Sequence, residues 1–375
     1  MAAAIGGAPA AESACKAHKT APLVSVIVAM YNIRPYAREC LESLRRMAPI
    51  PGETTEIIIV DDGSTDGTAD VIDGFLRAGG PAWPQSCDVT VLHIANGGLS
   101  AARNTAVARA RGRFVSFVDG DDAVCPDYLT ALGEGLQAIG GPGARHPLVI
   151  GTLTSASGRK AMRAMRPVAA RSMRIRTLTA QQALNEALTG AVPINACAKL
   201  APREHYLAHP YPEQRTYEDL ATLVTLLRHA GRVAVLERPI YRYRHRADSL
   251  SHPLHPTIRQ VHDFFDALNA FSRSCEQAFG SGVDQRRLKY QLALQCMRLH
   301  RLIRFALRTA AGQAERSELR AIDAHVTGTV LRIGGEAQQA GGIGRIPALR
   351  IRLFRLSRPL YDCIFDAYEC LQRRD

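Results

Sequence analysis

The sequence predicts an α/β fold: a mostly parallel sheet with helices on both faces, followed by a helix-rich C-terminal region. Three observations predict it. The runs "LVSVIVA" (23–29), "EIIIV" (56–60), "VTVLHI" (89–94) and "RFVSFV" (113–118) are nearly all apolar rather than alternating, as strands covered on both faces must be. Amphipathic helical patterns separate them, which is the signature of parallel crossover units. After His255 the strand signals give way to Arg-studded helical sequence.

Taken in order, residues 1–20 ("MAAAIGGAPAAESACKAHKT") have no basic start leading into an apolar stretch. They read as a disordered lead-in rather than a secretion signal. Pro35 suits the first turn of a helix that places Cys40, Leu41, Leu44 and Met47 on one face. A second helix carries Val71, Ile72, Phe75 and Leu76. Ser100 is the expected N-cap of "AARNTAVARARG", and Gly112 its expected end. Residues 139–147 read as a loop, 148–155 as a strand, 178–190 and 218–231 as helices, and "VAVLERPIYRYRHR" as one or two strands. The expected division is a catalytic-type α/β domain over 21–250 and a basic helical region over 251–375.

The composition is that of a globular chain, 375 residues with 46% hydrophobic and 22% charged, but the net charge is +12. Such a balance suits an anionic partner such as a nucleotide, a polyphosphate, nucleic acid or an acidic membrane, and equally a general bias toward Arg. Nucleic acid is disfavoured because aromatic residues make up only 6% and a binder of that kind interleaves them with its basic face. Nine cysteines occur with no CxxC pair, a pattern of a reduced, cytoplasmic compartment. No apolar run approaches the roughly 18 residues of a membrane-spanning helix.

Ligands of open parallel sheets bind beyond the carboxyl ends of the strands. Three predicted strand ends carry polar residues: Tyr31 and Asn32, then Asp61 and Asp62, then Asp119, Asp121 and Asp122. Bare carboxylates there must be solvated, paired or metal-bound. Asp61 and Asp62 could cap the next helix. Asp119 and Asp121, two apart after a buried strand, could both reach one hard cation such as Mg²⁺ or Mn²⁺, or form an ordinary turn.

"VSVIVAMYN", "VDDGSTDGT", "GGLSAARN", "FVDGDD" and "YEDL", in this order, resemble the inverting family 2 glycosyltransferases of the GT-A fold, bacterial type, over residues 23 to about 250. The resemblance implies a nucleotide-diphosphate sugar donor, UDP-linked by preference, and a saccharide or glycolipid acceptor in surface polysaccharide biosynthesis. It also implies a divalent Mn²⁺ or Mg²⁺ cofactor. Carried over by position, Ala29 to Asn32 contact the nucleotide, with Tyr31 stacking on the base and Asp62 hydrogen-bonding it beside Asp61. Asp121 coordinates the metal directly, and Asp119 meets the ribose or a metal-bound water. Asp122 could instead cap the following segment. Arg103 lies near the nucleotide, while Asn104 reads as a structural hydrogen bonder. Asp219, in Glu218-Asp219, matches the catalytic base; an ordinary acidic first turn of a helix is the plainer alternative. Lys199, Glu218, Arg244, His245, Arg246 and Ser249 fall in segments that reach the diphosphate or the acceptor. Two departures stand out. Arg246 occupies a place where relatives have a metal-reaching histidine, so His245 or water must take that role, and Cys197 replaces an aromatic residue that shapes the acceptor pocket.

Transfer to a polyprenyl phosphate carrier, or a catalytically silent nucleotide-binding relative, are the alternative readings. The basic amphipathic stretch 348–374 is expected to touch an anionic membrane from the cytoplasmic side, whereas 286–308 is expected to pack on the catalytic core.

Overall fold

A computed structural model describes residues 21–78, 83–156, 174–246 and 256–372. Four parallel strands form one half of its sheet: β1 (Val24–Met30), β2 (Thr55–Asp62), β3 (Cys87–Ile94) and β4 (Phe114–Asp119), lying side by side as β3-β2-β1-β4. Every residue of β1 and β2 is buried, which explains the unbroken apolar runs. The crossovers are α1 (Arg34–Arg45), α2 (Thr68–Arg77) and α3 (Leu99–Arg109). Pro35 sits in the first turn of α1, and Cys40, Leu41 and Leu44 face the sheet.

The second half mixes directions. It contains β5 (Ala123–Val124), β6 (Leu148–Ala156), β7 (Ile175–Leu178), β8 (Lys199–Pro202) and β9 (Val233–Arg244). β8 runs antiparallel to β4 and β6, β9 pairs parallel with β6, and β5 and β7 both lie antiparallel to β9. Helices α4 (Tyr128–Ala138), α5 (Ala180–Ala187), α6 (Arg203–Ala208) and α7 (Asp219–His229) cover it. "VAVLERPIYRYR" is one strand.

Two expectations about α3 are corrected. Gly98, with φ at 85°, is its N-cap, and Ser100 lies buried in the first turn. The helix closes at Ala110, two residues short of Gly112. Gly112 serves close approach instead, because a Cβ there would stand 2.4 Å from the Ser25 amide nitrogen. The same corner holds the buried Glu56 carboxylate, which accepts from Ser25 Oγ (2.7 Å), Arg111 Nε (2.7 Å) and the Arg111 amide (2.8 Å). One side chain thereby ties β1, β2 and the α3–β4 connection at the edge opposite the site.

The C-terminal helices are α8 (Ile258–Phe279), α9 (Gln285–Thr309), α10 (Gln313–Ala337), α11 (Arg345–Leu356) and α12 (Arg358–Gln372). Thr257 and Gln260 form a capping box at the start of α8, satisfying orphan amides there. Phe264 and Leu268 of α8 and Leu299 and Ile303 of α9 share one apolar core with Leu223 and Leu227 of α7. The stretch 286–308 thus packs as expected. The stretch 348–374 packs in part: Ile351, Phe354 and Tyr361 are buried, and Arg304 of α9 meets Asp366 of α12 at 3.0 Å. Among the described residues no helix is long and apolar enough to cross a membrane.

Gly112→Ala forces a methyl group into the β1 backbone, so the expected loss is about 2–3 kcal/mol of unfolding free energy. Urea denaturation of the variant measures it, and a change within error would mean that the corner can shift.

Candidate active site

The chain first turns back at the carboxyl ends of β1 and β2. Asn32, in a left-handed conformation (φ 47°), donates its amide to Ser64 Oγ (3.1 Å) and accepts from the Thr65 amide (2.8 Å). The Ile33 amide donates to Thr68 Oγ1 (2.9 Å) and the Arg34 amide to Asp66 Oδ2 (2.9 Å). The Gly-Ser-Thr turn after β2 is therefore laced to the turn after β1, and together they present Tyr31 with 48% of its surface exposed.

Asp61 and Asp62 are both buried and lie on different partners. Asp61 accepts from the Ser64 amide (3.1 Å) and faces His93 Nδ1 (3.0 Å). Burial depresses the His93 pKa, but its hydrogen bonds to Asp61 and Asp73 outweigh that and raise it. Asp62 accepts from the amides of Gly97 and Gly98, each at 2.8 Å. It fixes the entry to α3, with Asn96 Nδ2 also 3.5 Å from Oδ2, and Oδ1 keeps further acceptor capacity. Ala29 lies on β1 beside Asp119 of β4.

Arg103 crosses the site. Its buried guanidinium donates from Nη2 to Asp119 Oδ1 (2.8 Å) and from Nη1 to Glu218 Oε1 (2.7 Å). Its charged carbon lies 5.5 Å from the Phe117 ring centroid and 5.3 Å from that of Tyr211. The next residue, Asn104, exchanges hydrogen bonds with the Tyr211 carbonyl and amide, both 2.9 Å, the structural role its sequence context suggests. Burial disfavours ionisation of Glu218; Arg103 opposes this and Asp219 reinforces it, leaving the pKa raised. Asp219 opens α7. Among the described residues its side chain has no hydrogen-bond or ion-pair partner.

The third acidic group spreads over three environments. Asp119 keeps 30% of its side chain exposed. Asp121 pairs with Arg246 Nε at 2.8 Å. Burial raises its pKa; Arg246 opposes that shift and the Asp119 charge adds to it. Asp122 is fully enclosed, accepting from Tyr241 Oη (2.7 Å) and from the Arg244 amide (2.7 Å). Asp122 therefore caps nothing after it; it binds the β4 turn to β9. Its pKa is raised well above the carboxylate range by burial, then by Asp121 and Asp119.

Arg244 donates from Nε to the Asp121 carbonyl (2.7 Å) and from Nη2 to Glu39 (2.8 Å), with Tyr36 against its face at 4.9 Å. His245 is exposed and rests edge-on against Tyr243 at 5.2 Å. Lys199 is corrected: its ammonium is buried and donates to the Asn195 carbonyl rather than facing an open cleft. Burial pushes its pKa down to about 8, against the opposing charge of Asp219. Ser249 lies outside the described residues.

Sequence reading missed Tyr241, whose hydroxyl donates to Asp122 and accepts from the Asp119 amide (3.0 Å). It also missed Asp263 on α8, which faces Arg215 (3.0 Å) and accepts from the Thr216 amide (3.2 Å). Tyr241 looked like one of several strand aromatics, and nothing in the helical pattern of α8 marks Asp263.

The residues around Asp119 and Asp121 fit a hard divalent cation. Both offer carboxylate oxygens, and the like charge that raises the Asp121 pKa is what such a cation would relieve.

Residues 25–192 match the family model described as glycosyl transferase family 2. That segment is a little under half of the chain. The chain is 43% identical over 113 residues to the uncharacterized glycosyltransferase EpsJ of Bacillus subtilis, a stretch of 30% of each chain. It is 39% identical over 108 residues to the putative teichuronic acid biosynthesis glycosyltransferase TuaG of the same organism, covering 29% of this chain and 39% of that one. The matched stretch thus spans less than two-fifths of either relative. The fold is similar to that of S. aureus TarS 1-349, solved in complex with UDP, with a TM-score of 0.54 at 19% identity, covering 84% of this chain and 83% of that one. The GT-A architecture followed by a helical C-terminal region is thereby shown at the level of fold.

The acidic cluster sets a pH dependence. Asp121 and Asp122 have folded pKa values above their unfolded ones. The folded state therefore holds more protons, and this contribution to stability is lost as pH rises from the ordinary carboxylate range through the raised values. A divalent cation binds the ionised form and competes with those protons. The rise in melting temperature on adding Mn²⁺ should be larger at pH 8 than at pH 5, and absent in Asp121→Asn. Thermal scans at both pH values check it; an equal shift at both would place the ion elsewhere.

Proposed function

We propose that this chain is an inverting, metal-dependent glycosyltransferase. It takes a sugar from a UDP-linked donor and passes it to a saccharide or glycolipid hydroxyl in surface polysaccharide biosynthesis. The observation that carries the reading is the Arg103 bridge. It brings Glu218 and Asp219, from the start of α7, against the Asp119–Asp121 turn at the end of β4.

Inverting transfer needs a base on the face of the sugar opposite the leaving diphosphate. Two adjacent carboxylates compete for that role, and their partners separate them. Glu218 is held by Arg103, whereas Asp219 has no partner among the described residues. Asp219 is therefore the base that takes the proton from the acceptor hydroxyl as its oxygen attacks the anomeric carbon. An α-linked donor then gives a β-linked product. Tyr31 stacks on the base, and Asp62, held rigid by two amides, reads its edge with Asp61 behind it. Asp119 and Asp121 would hold the divalent ion, which when bound offsets the charge developing on the diphosphate. Arg246, tethered to Asp121, and Arg244 behind it supply positive charge next to the same group. Lys199, enclosed beside Asp219, shapes the acceptor side without reaching solvent. The UDP in the TarS complex supports the donor class, and the designation of TuaG supports the polysaccharide setting.

For Asp219→Asn, the expectation is near-normal UDP affinity with transfer reduced by about 10²–10⁴-fold. Calorimetric titration with UDP and GDP, each with Mn²⁺ or with EDTA, measures the first quantity and a donor-sugar turnover assay the second. Metal-requiring UDP binding supports the reading. Retained turnover in the variant would remove Asp219 as the base.

We further propose that the outer faces of α11 and α12 rest on an anionic membrane. Ile346, Leu349, Leu356, Leu360 and Ile364 are 46–74% exposed and lie among the exposed Arg345, Arg352, Arg355 and Arg358. This combination lets apolar side chains enter the headgroup layer while the arginines meet lipid phosphates. Ile346→Glu with Leu349→Glu should reduce co-sedimentation with phosphatidylglycerol vesicles several-fold without shifting the melting temperature. Unchanged sedimentation would sink this orientation.

A further inference from the structure

A second cluster of ionisable side chains lies away from the donor site. His205 belongs to α6, His209 closes that helix, and His229 is the last residue of α7. One ligand atom from each lies within 4.8 Å of the others. The ring centroids are 5.0 Å (His205–His209), 5.1 Å (His205–His229) and 4.8 Å (His209–His229) apart. α7 begins at Asp219, so this cluster sits ten residues, or about 15 Å of helix, from the proposed base.

We propose that these three histidines form a binding site for a borderline transition-metal cation of the zinc class, separate from the oxygen-rich site at Asp119 and Asp121.

Three features carry this. The first is chemical: three imidazoles with no carboxylate among them suit Zn²⁺ and its neighbours, not Mg²⁺ or Mn²⁺. Without a cation there is little reason to gather them, since protonated imidazoles repel.

The second is an unpartnered atom. His205 is 8% exposed, and its Nε2 is buried with no hydrogen-bond partner. A buried ring nitrogen left unmatched has a real energetic cost, and a metal bond would remove it.

The third is orientation. His229 Nδ1 lies 2.9 Å from the Thr225 carbonyl oxygen. An oxygen there can only accept, so the proton is on Nδ1 and the Nε2 lone pair is free. Ligating histidines are commonly fixed in this way, by a carbonyl on the nitrogen that does not bind the metal.

Nitrogens around a tetrahedral zinc with bonds of about 2.0–2.1 Å lie roughly 3.3 Å apart, closer than the present spacing. His209 and His229 are exposed and their rings can turn to close the difference, while the buried His205 acts as the fixed ligand. Water would complete four-coordination. The ion would staple α6 to the far end of α7, the helix whose near end carries Asp219.

The test uses the full chain without a histidine tag, titrated with Co²⁺ as a spectroscopic stand-in and then with Zn²⁺. The expected result is the visible absorption of a tetrahedral nitrogen-ligated Co²⁺ site, displaced by Zn²⁺, with a Zn²⁺-dependent rise in melting temperature. His209→Ala and His229→Ala alter exposed residues and should fold; each should weaken Zn²⁺ binding by about tenfold or more and abolish the melting shift. Asp121→Asn should retain both signals. The proposal is overturned if no tetrahedral Co²⁺ spectrum appears. It is equally overturned if both histidine variants bind Zn²⁺ like the parent, or if Asp121→Asn removes the binding.

Discussion

The guanidinium of Arg103 is the constraint on which the site depends. It is buried against two aromatic rings and holds carboxylates 16 and 115 residues away along the chain. Without it, Asp119 and Glu218 would be brought together in a poorly solvated place with like charge and no counterion. Removing one member of such a buried set typically costs about 3–5 kcal/mol, because the remaining charges are left unpaired. Lys would be a poor substitute, since its single ammonium lacks the two separated Nη donors that here reach the two carboxylates. Its own position follows from Asp62, which pins the amides of Gly97 and Gly98 and so sets where α3 begins.

The C-terminal helices complete what Arg103 starts. Residues 214–219 leave the ordinary backbone regions twice, with φ at 56° for Gln214 and 64° for Tyr217. Left-handed conformations at such residues persist only where surroundings enforce them. Here α8 does so. Asp263 faces Arg215 and accepts from the Thr216 amide and hydroxyl, and Phe264 stacks on Tyr217 at 4.0 Å, with Arg298 of α9 against both rings. The helical region is therefore part of the apparatus that presents Glu218 and Asp219, whatever its outer surface touches.

This division explains what could be read from the sequence. β1, β2 and β4 were legible because burial on both faces imposes continuous apolar runs, whereas β3 reads as apolar in sequence but lies half-exposed at the sheet edge. The second half of the sheet was harder: β5 and β8 are two and four residues long, too short for a period to register. Ser100 was misplaced because a serine before a helical run signals a cap by chemistry alone, whereas here the positive φ of Gly98 sets the start. Lys199 showed its charge but not its burial. The distribution of partners was not legible at all. Adjacent residues such as Glu218 and Asp219, or Asp121 and Asp122, have similar side chains in sequence and different partners in the fold: Arg103 of α3 holds Glu218 but not Asp219, and Tyr241 of β9 holds Asp122 while Arg246 pairs with Asp121.

That asymmetry carries the functional argument furthest. At two of the acidic turns the carboxylates are held unequally. Asp122 is locked by Tyr241 and the Arg244 amide while Asp119 stays partly exposed, and Glu218 is locked by Arg103 while Asp219 has no partner among the described residues. A fold selected for stability alone would not crowd these charges, since burial and mutual repulsion raise the pKa of Asp121, Asp122 and Glu218 alike. The locked members hold the turns rigid around their more exposed neighbours. Preorganisation of this kind makes fixed charges effective in a water-poor site, and under the proposed function it accounts for retaining an arrangement that would be unfavourable until a cation and a diphosphate were bound.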